Sequence, residues 1–292
     1  MRKGKIILFK ELDYILIFLT LACCAFGIVM ISSAVKSFGG GNRYILIQSV
    51  AAAVGFVLMV VCTSINYEKI GSAWKLIYGV CVLLLLLVLI VGTGREDVGS
   101  KSWIRFGSIG FQPSEFVKIG FIITLSKRAA DFGEDINEPK NVLKLLLHIG
   151  VLLGLIMLQP DFGTAMVFIF IFAGIVFSAG ISYKYILTAI GTVIGIIPPA
   201  WFFLLKTYQK NRIRVFFNPE SDPLGSGYHV IQSKIAIGSG RIFGKGLYHG
   251  TQTQLGFLPV KHTDFIFAVV GEELGLVGCV AVTLLLFSIV YR

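Results

Sequence analysis

The feature that most constrains this chain is a series of apolar runs, each about as long as a bilayer is thick. A helix needs roughly 20 apolar residues to cross the hydrocarbon core. Seven clear runs lie at approximately 14–32, 44–62, 74–92, 142–158, 162–180, 185–205 and 265–290. An eighth span is predicted at 111–126; it is less apolar, but it is needed to place the polar segments around it on opposite sides of the membrane. The sequence therefore predicts an all-α bundle of about eight transmembrane helices.

The composition supports a membrane protein. Charged residues make up 14% of the chain and the mean hydropathy is +0.83, whereas a soluble domain carries about 25% charged residues. A soluble fold of this length could not bury so much apolar surface. We therefore expect residues 1–292 to form a single integral membrane domain, in which 206–263 is one large polar loop.

The distribution of basic residues predicts the orientation. With the N-terminus in the cytoplasm, the inside segments hold twelve lysines and arginines and the short outer loops hold five. Cytoplasmic loops carry an excess of these residues, so we expect the segment 206–263 to lie outside the cell. Basic flanks facing anionic membrane lipids also explain the net charge of +10, and no nucleic acid partner is expected.

Two polar clusters interrupt apolar sequence. Gln112, Glu115 and Lys118 follow one another at intervals of three, which places them on one helix face, and Pro113 is predicted to open that helix. Glu115 and Lys118 either neutralise each other within the bundle or line a polar groove in which Lys118 meets an anionic ligand. Asp161, in the sequence QPDFGT, either caps the next helix or joins that groove.

A third cluster precedes the last apolar run. Asp264 is either a helix N-cap or a functional carboxylate. Glu272 follows by eight residues, so a continuous helix would place it on nearly the same face, roughly 12 Å deeper. With Glu273, these carboxylates suggest proton or metal chemistry. Five glycines between 238 and 250 are interleaved with Arg241 and Lys245. Either their backbone N–H groups and the two cations bind a phosphate, or the glycines are needed only for turns.

Four motifs carry a resemblance to a known family. They are SWIRFGSIGFQPSEFVKIG at 102–120, LQPDFGTA at 158–165, GYHVIQSKIAIGSG at 227–240 and GTQTQLGFLPVKHTDFIFAVVGEELG at 250–275. In this order they resemble the SEDS family, the RodA/FtsW/SpoVE-type peptidoglycan polymerases, and the GTQTQ segment leans towards the RodA-like branch. The family's later signature is absent, so the sequence is expected to be C-terminally truncated relative to it.

The resemblance implies a function. Such proteins polymerise lipid II, an undecaprenyl-diphosphate-linked disaccharide-peptide, into glycan strands during cell-wall elongation. They act in the bacterial plasma membrane beside a class B penicillin-binding protein and other elongation or division machinery. The rival functions are a lipid II flippase and a non-catalytic scaffold for the penicillin-binding protein.

The resemblance also implies site residues. The family's essential acidic residue falls on Asp264, which suits a general base that takes the proton of an attacking glycan hydroxyl in a single inverting displacement. A divalent ion, magnesium or manganese, could bind at Asp264 and stabilise the leaving diphosphate, and no organic cofactor is expected. The predicted substrate-binding residues are Glu115, Lys118, Asp161, Trp103, Arg105, Gln232, Lys234, Arg241, Lys245, His262 and Thr263.

Overall fold

The computed structural model describes residues 12–37, 39–63, 65, 67–93, 101–106, 109–204 and 207–292. The described part is helical apart from one short hairpin and its connections. Five of the basic residues counted for the orientation lie outside the described residues: Arg2, Lys3, Lys5 and Lys10 of the inside segments and Arg95 of the outer loops.

The elements follow one another with short connections. The hairpin strands are β1 (Ile104–Phe106) and β2 (Ile109–Phe111), and a π-helical segment (Ala200–Leu204) continues α8. The helices are α1 (Tyr14–Ala34), α2 (Asn42–Thr63), α3 (Tyr67–Ser72), α4 (Trp74–Val91), α5 (Pro113–Phe132), α6 (Pro139–Leu158), α7 (Phe162–Ser178), α8 (Tyr183–Pro199), α9 (Thr207–Phe217), α10 (Ser226–Ser239), α11 (Thr251–Gln254) and α12 (Ile266–Tyr291).

The multi-pass helical membrane fold predicted from the sequence is confirmed. Six described helices are long and apolar enough to cross a bilayer: α1, α2, α4, α6, the segment Tyr183–Phe203 and α12. The run predicted at 162–180 forms α7, a shorter apolar helix of 17 residues. The weak span predicted at 111–126 forms the 20-residue helix α5, and Pro113 opens it as predicted.

The chain divides into two compact units, which we call the central unit (Ile65–Pro198) and the terminal unit (Met1–Ser64 with Pro199–Arg292). In the central unit, α4, α5, α6 and α7 pack around a core that includes Leu85, Phe121, Leu152 and Phe168. Close approach of α4 and α5 requires Gly120, because a Cβ there would lie 2.4 Å from the Cys81 sulfur.

A buried histidine links three helices of the central unit. The Nδ1 atom of His148 lies 3.1 Å from Arg128 and its Nε2 lies 3.0 Å from the Thr124 hydroxyl. Arginine always donates, so Nδ1 accepts and Nε2 carries the proton. The Tyr78 ring stacks on this imidazole at 4.1 Å and its hydroxyl donates to the His148 carbonyl. This polar network fixes the register of α4, α5 and α6.

In the terminal unit, α12 packs against α1 and α10. The shared core contains Met30, Ala236, Leu258 and Val269. Residues Ser226–Ser239 of the segment predicted as a large loop form α10. The whole segment predicted as a large loop is thus largely helical where it is described, with α9, α10 and α11 in sequence.

Helix α12 is interrupted at Gly275, whose φ of 67° and ψ of −161° are not helical. At the break, the N–H groups of Leu276 and Val277 donate to the carbonyls of Arg241 and Ile242. A non-helical backbone inside a spanning helix is tolerated where other backbone satisfies its polar groups. These backbone hydrogen bonds attach the segment that follows α10 to α12 at the break.

Replacing Gly275 should destabilise the protein. A Cβ at Gly275 would lie 2.4 Å from the Gly244 nitrogen, and this backbone region costs a non-glycine residue about 1–3 kcal/mol before any clash. We expect Gly275→Ala to lower the melting temperature in detergent. The matched control is Gly27→Ala in α1, where nothing lies within 4 Å of the added Cβ. An unchanged melting temperature for Gly275→Ala would contradict the interrupted helix.

Candidate functional site

The polar residues predicted in the central unit gather around the start of α5. Lys118 forms an ion pair with Glu115 at 2.8 Å. Gln112 donates to one oxygen of Asp161 at 3.3 Å, and the other accepts from the Thr164 N–H at 3.1 Å. Both structural alternatives are therefore present: Glu115 and Lys118 neutralise each other, and Asp161 caps α7.

These contacts leave part of the cluster open. The side chains of Lys118 and Glu115 are 25% and 53% exposed. A partly exposed ion pair is held weakly, by about 0–1 kcal/mol, so an anionic ligand could compete for the ammonium. The predicted roles of Glu115, Lys118 and Asp161 in substrate binding stay predictions.

The β-hairpin places the other two predicted residues of this unit beside the same cluster. Arg105 pairs with Gly110 across the hairpin, and β2 leads directly into α5. The Trp103 ring lies against Gly110, where a Cβ would come within 3.0 Å of it. The Lys101 N–H donates to the Gln159 carbonyl. The hairpin is thus tied to the turn that carries Asp161.

In the terminal unit, two adjacent buried carboxylates organise the segment after α10. Glu272 is fully buried and accepts five hydrogen bonds. Lys245 donates at 2.9 Å, and the Thr251 hydroxyl at 3.2 Å. The Gln252 N–H donates at 2.8 Å, and Thr253 donates through its N–H at 2.9 Å and its hydroxyl at 2.8 Å. This carboxylate therefore anchors α11.

Glu273 is also fully buried and accepts from four groups. The Ser33 hydroxyl donates at 2.6 Å from the end of α1, and the Tyr248 N–H donates at 3.1 Å. The Gly250 N–H and the Gln254 amide donate at 3.4 Å. Adjacent positions on one helix thus fasten the same segment at two points.

Asp264 lies on a turn between α11 and α12. Its side chain is exposed, and α12 begins two residues later with no side-chain cap. The alternative that Asp264 caps this helix is therefore wrong. The prediction that a continuous helix places Asp264 and Glu272 on nearly the same face is also wrong, because residues 261–265 form a turn.

The neighbours of Asp264 include a perturbed histidine. Burial lowers the pKa of His262, the charge of Lys261 lowers it further, and the charge of Asp264 opposes both. The Tyr44 ring packs on the imidazole at 4.7 Å. His262 thus lies partly buried beside the exposed Thr263 and Asp264.

The remaining predicted residues of this unit lie on α10 and after it. Gln232 and Lys234 are on α10, with Lys234 exposed. Arg241 is exposed at a positive φ of 53°. Lys245 donates to Glu272 and to Thr251, so its ammonium is engaged within the protein. Anion binding by these cations stays a prediction.

A metal ion was predicted at Asp264. Within the described ranges, no three His, Cys, Asp or Glu side chains form a group that could hold a metal. Magnesium is usually bound by one or two carboxylates together with substrate phosphates, so the ion at Asp264 stays a prediction.

The chain belongs to the FtsW/RodA/SpoVE family, described as cell cycle proteins, whose sequence profile matches residues 13–292. This confirms the resemblance drawn from the motifs. Peptidoglycan glycosyltransferase MrdB of Escherichia coli K12 is 41% identical over 243 residues, which cover 82% of this chain and 64% of MrdB. The probable peptidoglycan glycosyltransferase FtsW of Trichlorobacter lovleyi is 36% identical over 290 residues, 97% of this chain and 75% of that one.

Solved structures agree with the family. A chain of a peptidoglycan synthase complex that coordinates polymerisation and crosslinking superposes with a TM-score of 0.79 and 31% identity. That match covers 97% of this chain and 77% of the other. The rod shape determining protein RodA of Thermus thermophilus gives a TM-score of 0.65 and 27% identity, over 97% of this chain and 74% of RodA. The matched region is less than two thirds of the length of MrdB.

Glu272→Ala should destabilise the fold strongly. Removing one partner of a buried ion pair costs about 3–5 kcal/mol, and here four further donors also lose their acceptor. We expect a large drop in melting temperature and in the yield of monodisperse protein. The control is Asp131→Asn, which breaks the exposed pair of Asp131 with Lys127 and should cost less than about 1 kcal/mol. Equal effects of the two variants would contradict the anchoring role.

Proposed function

We propose that this protein is an inverting glycosyltransferase that polymerises lipid II into glycan strands. The observation that carries the proposal is the setting of Asp264: an exposed carboxylate on a turn that follows the segment anchored by Glu272 and Glu273. The names of MrdB and FtsW as peptidoglycan glycosyltransferases support this chemistry.

The proposed step is a single displacement. The 4-hydroxyl of one sugar attacks the anomeric carbon of a second, lipid-linked sugar, and Asp264 accepts the hydroxyl proton as general base. The new bond joins O4 to C1, while the bond from C1 to the lipid diphosphate oxygen breaks and its electrons leave with the diphosphate. Attack from the opposite side turns the α linkage into β.

The leaving diphosphate needs positive charge as its bond breaks. Arg241 is an exposed cation of the terminal unit, and its carbonyl accepts from the Leu276 N–H at the helix break. It is the proposed contributor of this charge.

The proposed setting is the bacterial plasma membrane, with the N-terminus in the cytoplasm and residues 206–263 outside. Lipid II is then polymerised at the outer face. The similarity to a chain of a peptidoglycan synthase complex supports a class B penicillin-binding protein as partner.

Asp264→Asn should abolish polymerisation without unfolding the protein. Loss of a general base typically costs a factor of about 100 to 10,000, and the exposed side chain contributes little to packing. The assay is gel detection of glycan formed from purified lipid II by the protein with its class B penicillin-binding protein. The matched control is Glu220→Gln, an exposed carboxylate in the same segment, which should leave the rate unchanged.

Other outcomes separate the rival functions. Leaflet exchange of lipid II without glycan formation would support a flippase. A wild-type rate for Asp264→Asn, in protein that binds its partner normally, would refute the catalytic assignment and favour a scaffold.

Accessibility labelling should confirm the orientation. Thr263 and Lys184 are both exposed, on the turn before α12 and in the first turn of α8. Cysteine variants of both are made in a chain whose five native cysteines are replaced. We expect a membrane-impermeant maleimide, added to cells whose plasma membrane is intact, to label Thr263→Cys and not Lys184→Cys. The reverse pattern would place the proposed site in the cytoplasm.

A further inference from the structure

Three residues before Asp264 lies Lys261, a lysine outside the set of predicted site residues. Lys261 is 1% exposed, although its turn is otherwise largely open. Its ammonium donates to the Ser37 hydroxyl at 2.7 Å and to the carbonyl of Thr253. A buried ammonium is costly unless polar partners surround it, so the position calls for a specific explanation.

Lys261 ends a chain of contacts that starts in α12. Thr253 is fully buried, and both its N–H and its hydroxyl donate to one oxygen of Glu272. The carbonyl of the same residue then accepts from Lys261. A buried carboxylate, a buried threonine and a buried lysine thus link the spanning helix to the turn that presents Asp264.

Charge balance explains why a cation is tolerated there. Burial lowers the pKa of Lys261, and the negative charges of Glu272 and Glu273 oppose that shift. Lys245 pairs with Glu272 directly. Two ammonium groups therefore face two buried carboxylates, which keeps this part of the terminal unit near electrical neutrality.

The backbone of the turn is strained at Val260, the residue before Lys261. Val260 has a positive φ of 46°, which is a rare conformation for a β-branched residue. Its carbonyl accepts from the N–H groups of Thr263 and Phe265, at 3.2 and 3.4 Å. Such strain persists where neighbouring contacts hold it, and the buried ammonium of the next residue supplies that hold.

We infer that Lys261 is a positioning residue: its buried ammonium fixes the turn that presents the Asp264 carboxylate, without touching substrate. The inference rests on the proposed function for its effect on rate. Its effect on the turn follows from the contacts of Lys261 alone.

The first test replaces the ammonium with an apolar side chain of similar length, in Lys261→Met. We expect kcat for lipid II polymerisation to fall at least about tenfold, with KM changed less than about twofold, because substrate contacts remain. Amide hydrogen exchange of residues 255–265 should become faster. The control is Lys140→Met, which changes an exposed lysine at the start of α6. It should leave kcat, KM and the exchange of residues 255–265 unchanged.

A second variant separates positioning from simple stabilisation. Leu145→Ala opens a cavity in the core of the central unit, where Leu145 is 1% exposed, and should lower the melting temperature, because the loss of buried methyl groups from a core is strongly destabilising. Because it does not touch the turn, kcat and the exchange of residues 255–265 should stay at the parent values. If Lys261→Met does not fold, Lys261→Gln, which keeps a donor for the Thr253 carbonyl, serves in its place and should show smaller effects in the same direction.

The outcomes are distinguishable. An equal loss of kcat and equally fast exchange in Leu145→Ala would reduce Lys261 to a residue that only stabilises the fold, and would overturn the inference. Unchanged kcat and unchanged exchange in Lys261→Met would overturn it as well. Full activity of Asp264→Asn would instead refute the proposed function, while faster exchange in Lys261→Met would still support the anchoring of the turn.

Discussion

The terminal unit depends on two adjacent carboxylates buried in a spanning helix. Glu272 and Glu273 accept backbone N–H groups of the segment 248–253, along with hydroxyl, amide and ammonium groups. Hydrogen bonds to a charged acceptor are roughly twice as strong as neutral ones, and water does not compete for them here. An irregular segment, which would otherwise have unsatisfied polar groups at the membrane, is thereby fastened to α12 and α1.

Glycines allow this fastening by letting backbones approach closely. A Cβ at Gly240 would lie 1.9 Å from the Gly271 carbonyl oxygen, and one at Gly244 would lie 2.1 Å from that of Glu273. Together with the break at Gly275, these positions seat the segment after α10 against α12. The glycine-rich pattern suggested either a phosphate cradle or turn geometry, and close packing accounts for these glycines.

The spans and the local contacts were predictable because their causes lie within a few residues. Apolar runs indicated the spanning helices, Pro113 marked the start of α5, and Asp161 was recognised as a possible cap that the structure confirms. The N-cap alternative for Asp264 was wrong, because the turn at 260–265 depends on contacts outside it. The bond from Ser33 to Glu273 joins residues 240 positions apart, and no local pattern indicates such a pair or the buried Lys261.

Burial also separates the acidic residues that anchor α12 from the one proposed as general base. Glu272 and Glu273 are fully buried; Glu272 accepts five hydrogen bonds, and Glu273 accepts from four groups. Removing either carboxylate would leave several buried donors without an acceptor. Asp264 is exposed and takes part in none of these hydrogen bonds, so a change at Asp264 leaves the anchoring contacts intact. A carboxylate thus serves structure where it is buried and all its oxygens are engaged, and is open to solvent where the turn exposes it.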